Sequence, residues 1–376
     1  MLLLAATSCV EEFWPDLGGK YQDAVVIDGM ITSQPGPYLV KVSRSISVGN
    51  SGLVPLSGFQ IMISDNLGNS ETLQEISPGI YSTAANGIQG YPGLKYRIQA
   101  VSPAGKVYES EYQELLEPVE VQSLTARFEV KDHEGIHPEE GYQFYLNTIP
   151  PDTADRHFIW RLESTYEYES DFKLRFYYAG VVIPVTNADS LQTCWKTEKI
   201  RDFFTFSTRG LNNKVIKDFP LIYVNTEDKK LSVRYSLLVR QYTVSESCWE
   251  FWNNIREQNS GEGELYARQP FQVKGNIRNP DNPEEPVFGY FVVAGQSDKR
   301  IFVDRPMPPV HFYYSFCELS EWDYQNVGTI YLSLPFEWPI FLTTGPSGAR
   351  AYPPQECIDC RLSGGTIEKP SFWLDQ

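Results

Sequence analysis

A C-x-x-C motif, Cys357-Ile358-Asp359-Cys360, holds the residues of this sequence best suited to chemistry. Two thiols at this spacing can exchange disulfides, supply half of a zinc site or form structural disulfides. A redox-active motif of this kind follows a strand and opens a helix. Here two prolines precede the motif and two glycines follow it, which favours a loop. We therefore expect a structural disulfide to Cys317; a Cys₃His zinc site completed by Cys317 and His311, or free thiols, are the alternatives.

Residues 1–9 are an apolar run that ends in small residues and Cys9. This arrangement resembles the signal of a bacterial lipoprotein, whose removal leaves the cysteine as a diacylated N-terminus. The acyl chains would anchor the protein in membrane lipid. Glu11 and Glu12 lie in the tether that follows, residues 10–23, and resemble an export signal to the outer face of the outer membrane. We expect a lipid-anchored outer-membrane protein that faces the cell exterior.

The remaining cysteines fit an envelope location, where disulfides form and persist. With Cys9 acylated, five cysteines remain, and an odd number leaves at least one thiol over or paired with another chain. The disulfide candidates are Cys194, Cys248, Cys317, Cys357 and Cys360.

Two loops carry groups that metals use as ligands. Residues 279–286 are dense in hard oxygen donors, which calcium favours, but their prolines have an independent role in fixing a β-connection. His133 and His137 lie in an acidic segment, which favours a solvated charge cluster over a metal site. We expect no cofactor, with calcium at residues 279–286 as the alternative.

No catalytic motif is present in the sequence. It contains no G-x-S-x-G elbow, no H-E-x-x-H, no Walker-type glycine loop and no G-x-G-x-x-G after a strand. No pair of carboxylates has a spacing that singles it out for glycoside hydrolysis. We therefore expect no catalytic residues and no enzymatic activity, and an unrecognised hydrolase is held as the reserve alternative.

Composition limits the class of protein that could carry these motifs. The 376 residues have a net charge of −16, which opposes binding to nucleic acid. Aromatic residues make up 14% and charged residues 21%, a mixture typical of a folded, β-rich protein. After the N-terminus, no stretch approaches the roughly 18–20 consecutive apolar residues that a membrane-spanning helix needs.

The fold class expected from the hydrophobic pattern is all-β. Short strands alternate with turns in residues 24–118 and predict an immunoglobulin-like β-sandwich. Residues 119–376 alternate again and predict a larger β-rich, sandwich-like domain with one or two short helices. Ser247 and Glu250 form a capping box, and residues at helical spacing follow, so we expect a helix with Ser247 as its N-cap.

Six segments carry a family resemblance: residues 9–13, 25–32, 36–38, 269–277, 285–291 and 357–373. The last joins the C-x-x-C to a terminal G-G-T-x₃-P-x-F-W. In this order the segments resemble the Bacteroidota outer-membrane lipoprotein family catalogued as domain of unknown function 4249 (DUF4249). The resemblance implies a lipoprotein associated with TonB-dependent transporters. It brings no catalytic residues, because the family has no assigned activity.

Two functions are expected from these observations. The first is a non-enzymatic, surface-exposed lipoprotein that acts as accessory or binding subunit of a TonB-dependent transporter-type complex, docked on a β-barrel partner through an aromatic-rich face. The alternative is a glycan- or peptide-binding module without a barrel partner, with Trp14, Trp195 and Trp322 as stacking platforms. A flat apolar patch would favour the first function, and a groove lined with exposed aromatic rings would favour the second.

Overall fold

The computed structural model describes residues 24–45, 53–132, 137–260, 273–320, 323, 326–345 and 347–374. Strands account for about 47% of the chain and helices for about 10%, so the all-β prediction is confirmed. The expected signal peptide, residues 1–9, and the expected tether, residues 10–23, lie outside the described residues.

Strands make up most of the regular structure along the chain. In chain order they are β1 (Val25–Thr32), β2 (Leu39–Ser45), β3 (Leu53–Pro55), β4 (Gln60–Asp65), β5 (Ser70–Thr72), β6 (Gln74–Ser77), β7 (Ile80–Ser82), β8 (Lys95–Val101), β9 (Val107–Ser110), β10 (Gln113–Glu114), β11 (Val121–Lys131), β12 (Glu139–Thr148), β13 (His157–Glu169), β14 (Phe176–Tyr178), β15 (Val182–Pro184), β16 (Thr193–Ser207), β17 (Ile216–Asn225), β18 (Arg234–Val244), β19 (Ile277–Arg278), β20 (Val287–Phe288), β21 (Phe291–Asp304), β22 (Ile340–Thr344) and β23 (Arg350–Ala351). Two α-helices have described bounds: α1 (Glu246–Ser260) and α2 (Val327–Ser333). Short 3₁₀ turns occupy Lys229–Leu231, Pro335–Glu337, Gln355–Cys357 and Cys360–Ser363.

The chain forms two compact units, and neither is continuous in sequence. The first unit contains residues 1–118 and 243–295, and the second contains residues 119–242 and 296–376. The prediction that all of residues 119–376 form one domain is therefore wrong for residues 243–295. These residues return to the first unit because β20 and the start of β21 pair in parallel with β1. Strand alternation in a sequence does not reveal which distant strand a segment will pair with.

The first unit is a β-sandwich whose two sheets enclose one core. One sheet has the order β6-β7-β2-β1, with β3 added to β2 and with β20 and the start of β21 beside β1. The other has the order β5-β4-β8-β9-β19, with β10 paired to β8. Because alternate strand residues point to opposite faces, side chains from both sheets, among them Ile27, Val40, Ile61 and Ile98, meet in one buried cluster.

Two glycines let residues 243–295 pack closely against β1 in the first unit. Gly289 has a φ of +91°, in the region that glycine adopts most readily, and a Cβ there would overlap the carbonyl oxygen of Ile27 on β1. A Cβ at Gly275 would in turn overlap the carbonyl oxygen of Gly289. Any side chain at either position would therefore push the segment away from β1.

Helix α1 begins at Glu246, two residues before the start that an N-cap at Ser247 would give. Its first turn is capped by Ser245, whose Oγ accepts a hydrogen bond from the Cys248 N–H at 3.3 Å, while the Ser245 carbonyl accepts one from the Trp249 N–H at 3.0 Å. The capping box predicted at Ser247 and Glu250 is therefore wrong, since both residues lie inside the helix. A serine two positions before Ser247 offers the same oxygen to the free N–H groups of the first turn.

The helices of the structure are short or polar. Among the described residues, no helix has the length and apolar character needed to cross a membrane.

The second unit contains three groups of strands. β16, β13 and β18 are neighbours in one sheet, and β13 pairs with β16 along nearly its whole length. β11, β12 and β17 form a three-stranded antiparallel sheet, and β15, β14, β22 and β23 follow one another in a four-stranded sheet. The first two groups share a core that includes the fully buried Phe144, Trp160 and Tyr235.

A buried amide holds this second core in register. Gln241 Oε1 accepts hydrogen bonds from Trp160 Nε1 at 2.8 Å and from Thr148 Oγ1 at 2.9 Å, while Gln241 Nε2 donates to the carbonyl of Val119 at 2.6 Å. A buried polar network that satisfies its members rigidifies the strands that carry them. One of these strands is β13, which also supplies two tyrosines to a surface pocket.

Candidate ligand site beside the disulfides

Two disulfides lie in the second unit, Cys194–Cys360 and Cys317–Cys357. The expected bond from the C-x-x-C motif to Cys317 is therefore present at Cys357, while Cys360 pairs with Cys194. The zinc alternative is wrong, because its three cysteine ligands are all in disulfides and its imidazole, His311, contacts Glu140. The fifth candidate, Cys248, is a buried thiol in helix α1 of the first unit.

A cavity of about 410 Å³ lies next to these disulfides. We call it the tyrosine pocket, and its lining consists of Tyr166, Tyr168, residues 227–229, residues 313–315 and Ser363. Four of the nine lining residues are tyrosines. The other five lining residues are polar or charged. The volume of the pocket falls within the roughly 300–1,000 Å³ of typical small-molecule sites.

Strand β13 supplies Tyr166 and Tyr168, which point to the same face because they are two residues apart. The Tyr168 hydroxyl donates a hydrogen bond to the Cys360 carbonyl at 2.6 Å, so this ring is tied to the C-x-x-C turn. Burial raises the pKa of Tyr168, and burial followed by the nearby Glu198 carboxylate raises the pKa of Tyr166. Both side chains are therefore neutral phenols across the physiological pH range.

The terminal G-G-T motif packs under this part of the pocket. A Cβ at Gly365 would lie 2.5 Å from Tyr168 Oη and 2.9 Å from Cys194 Cβ. The next residue, Thr366, exchanges backbone hydrogen bonds with Trp195 at 2.8 and 2.9 Å. The motif that carried the family resemblance thus has a packing role against the Cys194–Cys360 disulfide.

Residues 311–316, which we call the aromatic strip, carry five rings in six residues. Residues 313–315 of the strip form a second side of the pocket. The strip begins at His311, whose backbone N–H and ring Nδ1 each contact the Glu140 carboxylate at 2.8 Å. These hydrogen bonds, with the ring contact first, hold the pKa of Glu140 below its usual value. The strip ends at the Cys317–Cys357 disulfide, and the Cys317 N–H donates to Asp171 at 3.1 Å.

Rings within the strip are partly exposed yet have defined neighbours. Tyr313 stacks on His137 with a centroid distance of 3.7 Å and an interplanar angle of 7°. Tyr314 packs between Phe312 and Phe316, with centroid distances of 5.7 and 4.8 Å. The exposed fractions of Tyr313 and Phe316 are 37% and 57%. The strip thus presents held rings at the surface of the second unit.

The remaining side of the pocket is a charged turn. Asp228 accepts hydrogen bonds from the backbone N–H of Lys230 at 2.8 Å and from its ammonium at 2.6 Å. The Lys229 ammonium donates to Asp171 Oδ1 at 2.9 Å and to the Glu169 carbonyl at 3.1 Å. Asp171 therefore links this turn to the end of the aromatic strip, because its other oxygen accepts the Cys317 N–H.

Sequence reasoning missed the tyrosine pocket because its residues come from four distant segments. The one signal in the sequence was the density of rings in residues 311–316. Of the expected stacking platforms, Trp195 lies half-buried on β16, and its indole N–H is buried. Trp14 and Trp322 lie outside the described residues, as do Cys9, Glu11, Glu12 and His133. His137 serves as the stacking partner of Tyr313.

The proposed calcium loop, residues 279–286, uses its oxygens for contacts within the first unit. Glu285 accepts hydrogen bonds from Lys106 at 2.9 Å, from Tyr108 at 3.0 Å and from Asn279 at 2.6 Å. Asn279 Oδ1 accepts the backbone N–H groups of Asp281 and Asn282. Protein donors thus occupy the side-chain oxygens of Glu285 and Asn279.

A second exposed feature of the second unit is apolar. The β14–β15 hairpin and the segment from α2 to β22 expose Val181 (63%), Leu332 (83%), Phe336 (100%) and Trp338 (38%). The Trp338 ring packs edge-on against Tyr178 of the hairpin at 5.1 Å, which brings the two segments together. We call these four residues the apolar tip.

The fold and site define an all-β, disulfide-bonded protein with a ligand-sized pocket lined by tyrosines and by polar or charged residues. Residues 10–300 match the family described as "Domain of unknown function (DUF4249)". The match covers more than half of the chain, so the protein belongs to this family and the predicted resemblance is confirmed.

Similarity to individual proteins is weak. No curated protein matches the chain. Among solved structures, trypsin-activated alpha-2-macroglobulin from Escherichia coli is similar with 9% identity and a TM-score of 0.18. The alignment covers 60% of this chain but only 15% of that chain. A similarity at this TM-score carries no argument about fold or function.

Proposed function

We propose that the protein is a non-enzymatic, surface-exposed outer-membrane lipoprotein that acts as an accessory or binding subunit of a TonB-dependent transporter-type complex. The apolar tip is the observation that carries this proposal. Apolar side chains that are exposed next to one another mark sites of protein–protein contact, and Trp338 contacts Tyr178 in the hairpin that exposes Val181. Aromatic side chains in particular dominate the energy of such contacts once they are buried.

The local structure of the tip explains why these side chains face outward. Helix α2 buries Val327 and Ile330 in a small core with Ile340 and Leu342 of β22. Leu332 lies on the opposite side of the helix, and the 3₁₀ turn that follows exposes Phe336 completely. Because the local core is already filled by other residues, Leu332 and Phe336 are not needed to fold the helix and are free to contact a partner.

The N-terminal sequence supplies the second argument for a membrane-protein partner. A lipid anchor at Cys9 would confine the protein to the membrane surface and raise its effective concentration near a β-barrel there. A modest apolar contact would then suffice for a stable complex. The lipoprotein signal and the acidic residues Glu11 and Glu12 support this location.

The proposal is tested by recovering the full lipidated protein from its native envelope in mild detergent and identifying its companions by mass spectrometry. We expect a stoichiometric TonB-dependent barrel with the wild type and its loss with Phe336→Asp, since a buried charge opposes docking. The matched control is Leu362→Asp, a 60% exposed leucine outside the tip, which should retain the barrel. Recovery of the wild type alone would contradict the proposal.

The alternative proposal is a glycan- or peptide-binding module without a barrel partner. The tyrosine pocket supports it, because a held aromatic surface with nearby polar groups suits a ligand of that kind. The same recovery experiment separates the two proposals, since the alternative predicts no barrel companion for the wild type.

A further inference from the structure

We infer that the tyrosine pocket binds a neutral saccharide. The inference rests on the pocket alone and holds whether or not the apolar tip docks on a barrel. Three properties of the pocket support it: the groups that hold it in shape, the groups left free in it, and its charge.

The groups that hold the pocket are engaged with one another. Tyr168 bonds to Cys360, Lys229 to Asp171, and Asp228 to Lys230. Two disulfides lie within three residues of the lining, since Cys360 is close in sequence to Ser363 and Cys317 to Ser315. A site that is organised before binding loses less conformational entropy when a ligand enters, which is important for a flexible polyol.

The exposed groups of the pocket match the apolar faces and the hydroxyl-bearing edges of a sugar ring. Of the described residues, none donates a hydrogen bond to the side chains of Glu227, Ser315 or Ser363, and all three are exposed at the rim. Tyr313 and Tyr314 add exposed or half-exposed aromatic rings. Pyranose rings present apolar C–H groups to aromatic faces and hydroxyls at their edges, so rings beside free carboxylate and hydroxyl groups can satisfy both.

The charge of the pocket opposes an anionic ligand. Its lining holds two carboxylates, Glu227 and Asp228, and one ammonium, Lys229, which is paired with Asp171. Asp228 is paired with Lys230, so a sugar hydroxyl, which both donates and accepts, can pair with the Glu227 carboxylate and with the serine hydroxyls. A peptide that binds by strand addition would need a free strand edge, and the aromatic strip is not part of any sheet.

The test uses the full chain and four neutral hexasaccharides as probes: maltohexaose, cellohexaose, xylohexaose and chitohexaose. Binding is followed by saturation-transfer NMR and by titration calorimetry, with oligogalacturonate as the anionic and chitosan hexamer as the cationic comparison. We expect at least one neutral hexasaccharide to bind, with transfer strongest at its ring C–H protons. The Tyr313→Ala and Tyr314→Ala variants should each weaken binding about tenfold or more, as expected when an aromatic contact is removed.

The matched control is Tyr91→Ala, a 60% exposed tyrosine of the first unit, which should bind like the wild type. Because Tyr313 and Tyr314 are surface side chains, unchanged thermal unfolding should show that their variants remain folded. Three results would overturn the inference: no binding of any neutral probe at millimolar concentration, binding that is unaffected by both pocket variants, or tighter binding of a charged probe. Capture of peptides instead, lost in Tyr314→Ala, would also overturn it in favour of a peptide site.

Discussion

The tyrosine pocket and the apolar tip both expose aromatic rings, but the chain supports these rings in different ways. The aromatic strip, residues 311–316, is held at its start by Glu140 and at its end by the Cys317–Cys357 disulfide. Phe336 of the tip is fully exposed on a 3₁₀ turn. Held rings suit a small ligand, because little entropy is lost on binding, whereas an open apolar ring is stabilised by burial against a macromolecule. Aromatic residues thus indicate recognition of a small ligand where neighbouring groups hold the rings in place, and recognition of a macromolecule where the ring is open to solvent.

The largest effect that tests this difference is loss of the disulfide beneath the pocket. Replacing Cys194 and Cys360 together by alanine opens a loop of sequence separation 166, which the chain-entropy relation values at about 5 kcal/mol of unfolding free energy. Opening Cys317–Cys357, with separation 40, should cost about 4 kcal/mol. Denaturant unfolding of the oxidised proteins measures both costs. A loss below about 1 kcal/mol for the Cys194–Cys360 pair would contradict a stabilising role for this disulfide.

Two glycines should respond with opposite signs. Gly365→Ala places a Cβ against Tyr168 and Cys194 and should destabilise the protein by about 1–3 kcal/mol through overpacking. Gly328→Ala, in helix α2 of the tip region, meets no atom within 4 Å and should stabilise it by up to about 1 kcal/mol, since alanine favours a helix. Chemical denaturation measures both changes. Equal effects of the two substitutions would remove the distinction between a tightly packed pocket and an open tip.

The sequence alone predicts the strands of residues 24–118 and the family, but it does not predict the pocket. Alternation within one segment shows which residues face a core, as at Tyr96, Ile98 and Ala100 of β8. The pairing of β1 with β20 and β21 and the bond between Cys194 and Cys360 depend on contacts over more than a hundred residues. The same limitation made Trp195 a stacking candidate, although the fold half-buries it on β16.

A smaller, pH-dependent effect should come from the start of the aromatic strip. The folded pKa of Glu140 is lowered by its hydrogen bonds from His311, so its carboxylate contributes stability above the unfolded pKa of roughly 4.3. That contribution is lost as the pH falls through the lower folded pKa. Glu140→Gln should therefore unfold more easily by about 1 kcal/mol near neutral pH and approach the wild type in acid. A difference in melting temperature that stays constant from pH 7 to pH 3 would contradict this assignment.

The smallest effect on stability is expected at the tip. Phe336→Asp should change the unfolding free energy by less than about 0.5 kcal/mol, because the side chain is 100% exposed. Denaturant unfolding of the purified protein measures this change. A loss of several kcal/mol would mean that Phe336 supports the fold, and that its exposure is not available for docking.

Photocrosslinking in living cells tests most directly whether the apolar tip, and not the tyrosine pocket, docks on a barrel. A benzophenone amino acid is placed at position 336 in one strain and at position 314 in another. We expect a covalent adduct with an outer-membrane barrel from position 336 and no barrel adduct from position 314, because the tip and the pocket contact different molecules. Absence of any barrel adduct from position 336, or the same adduct from both positions, would contradict it.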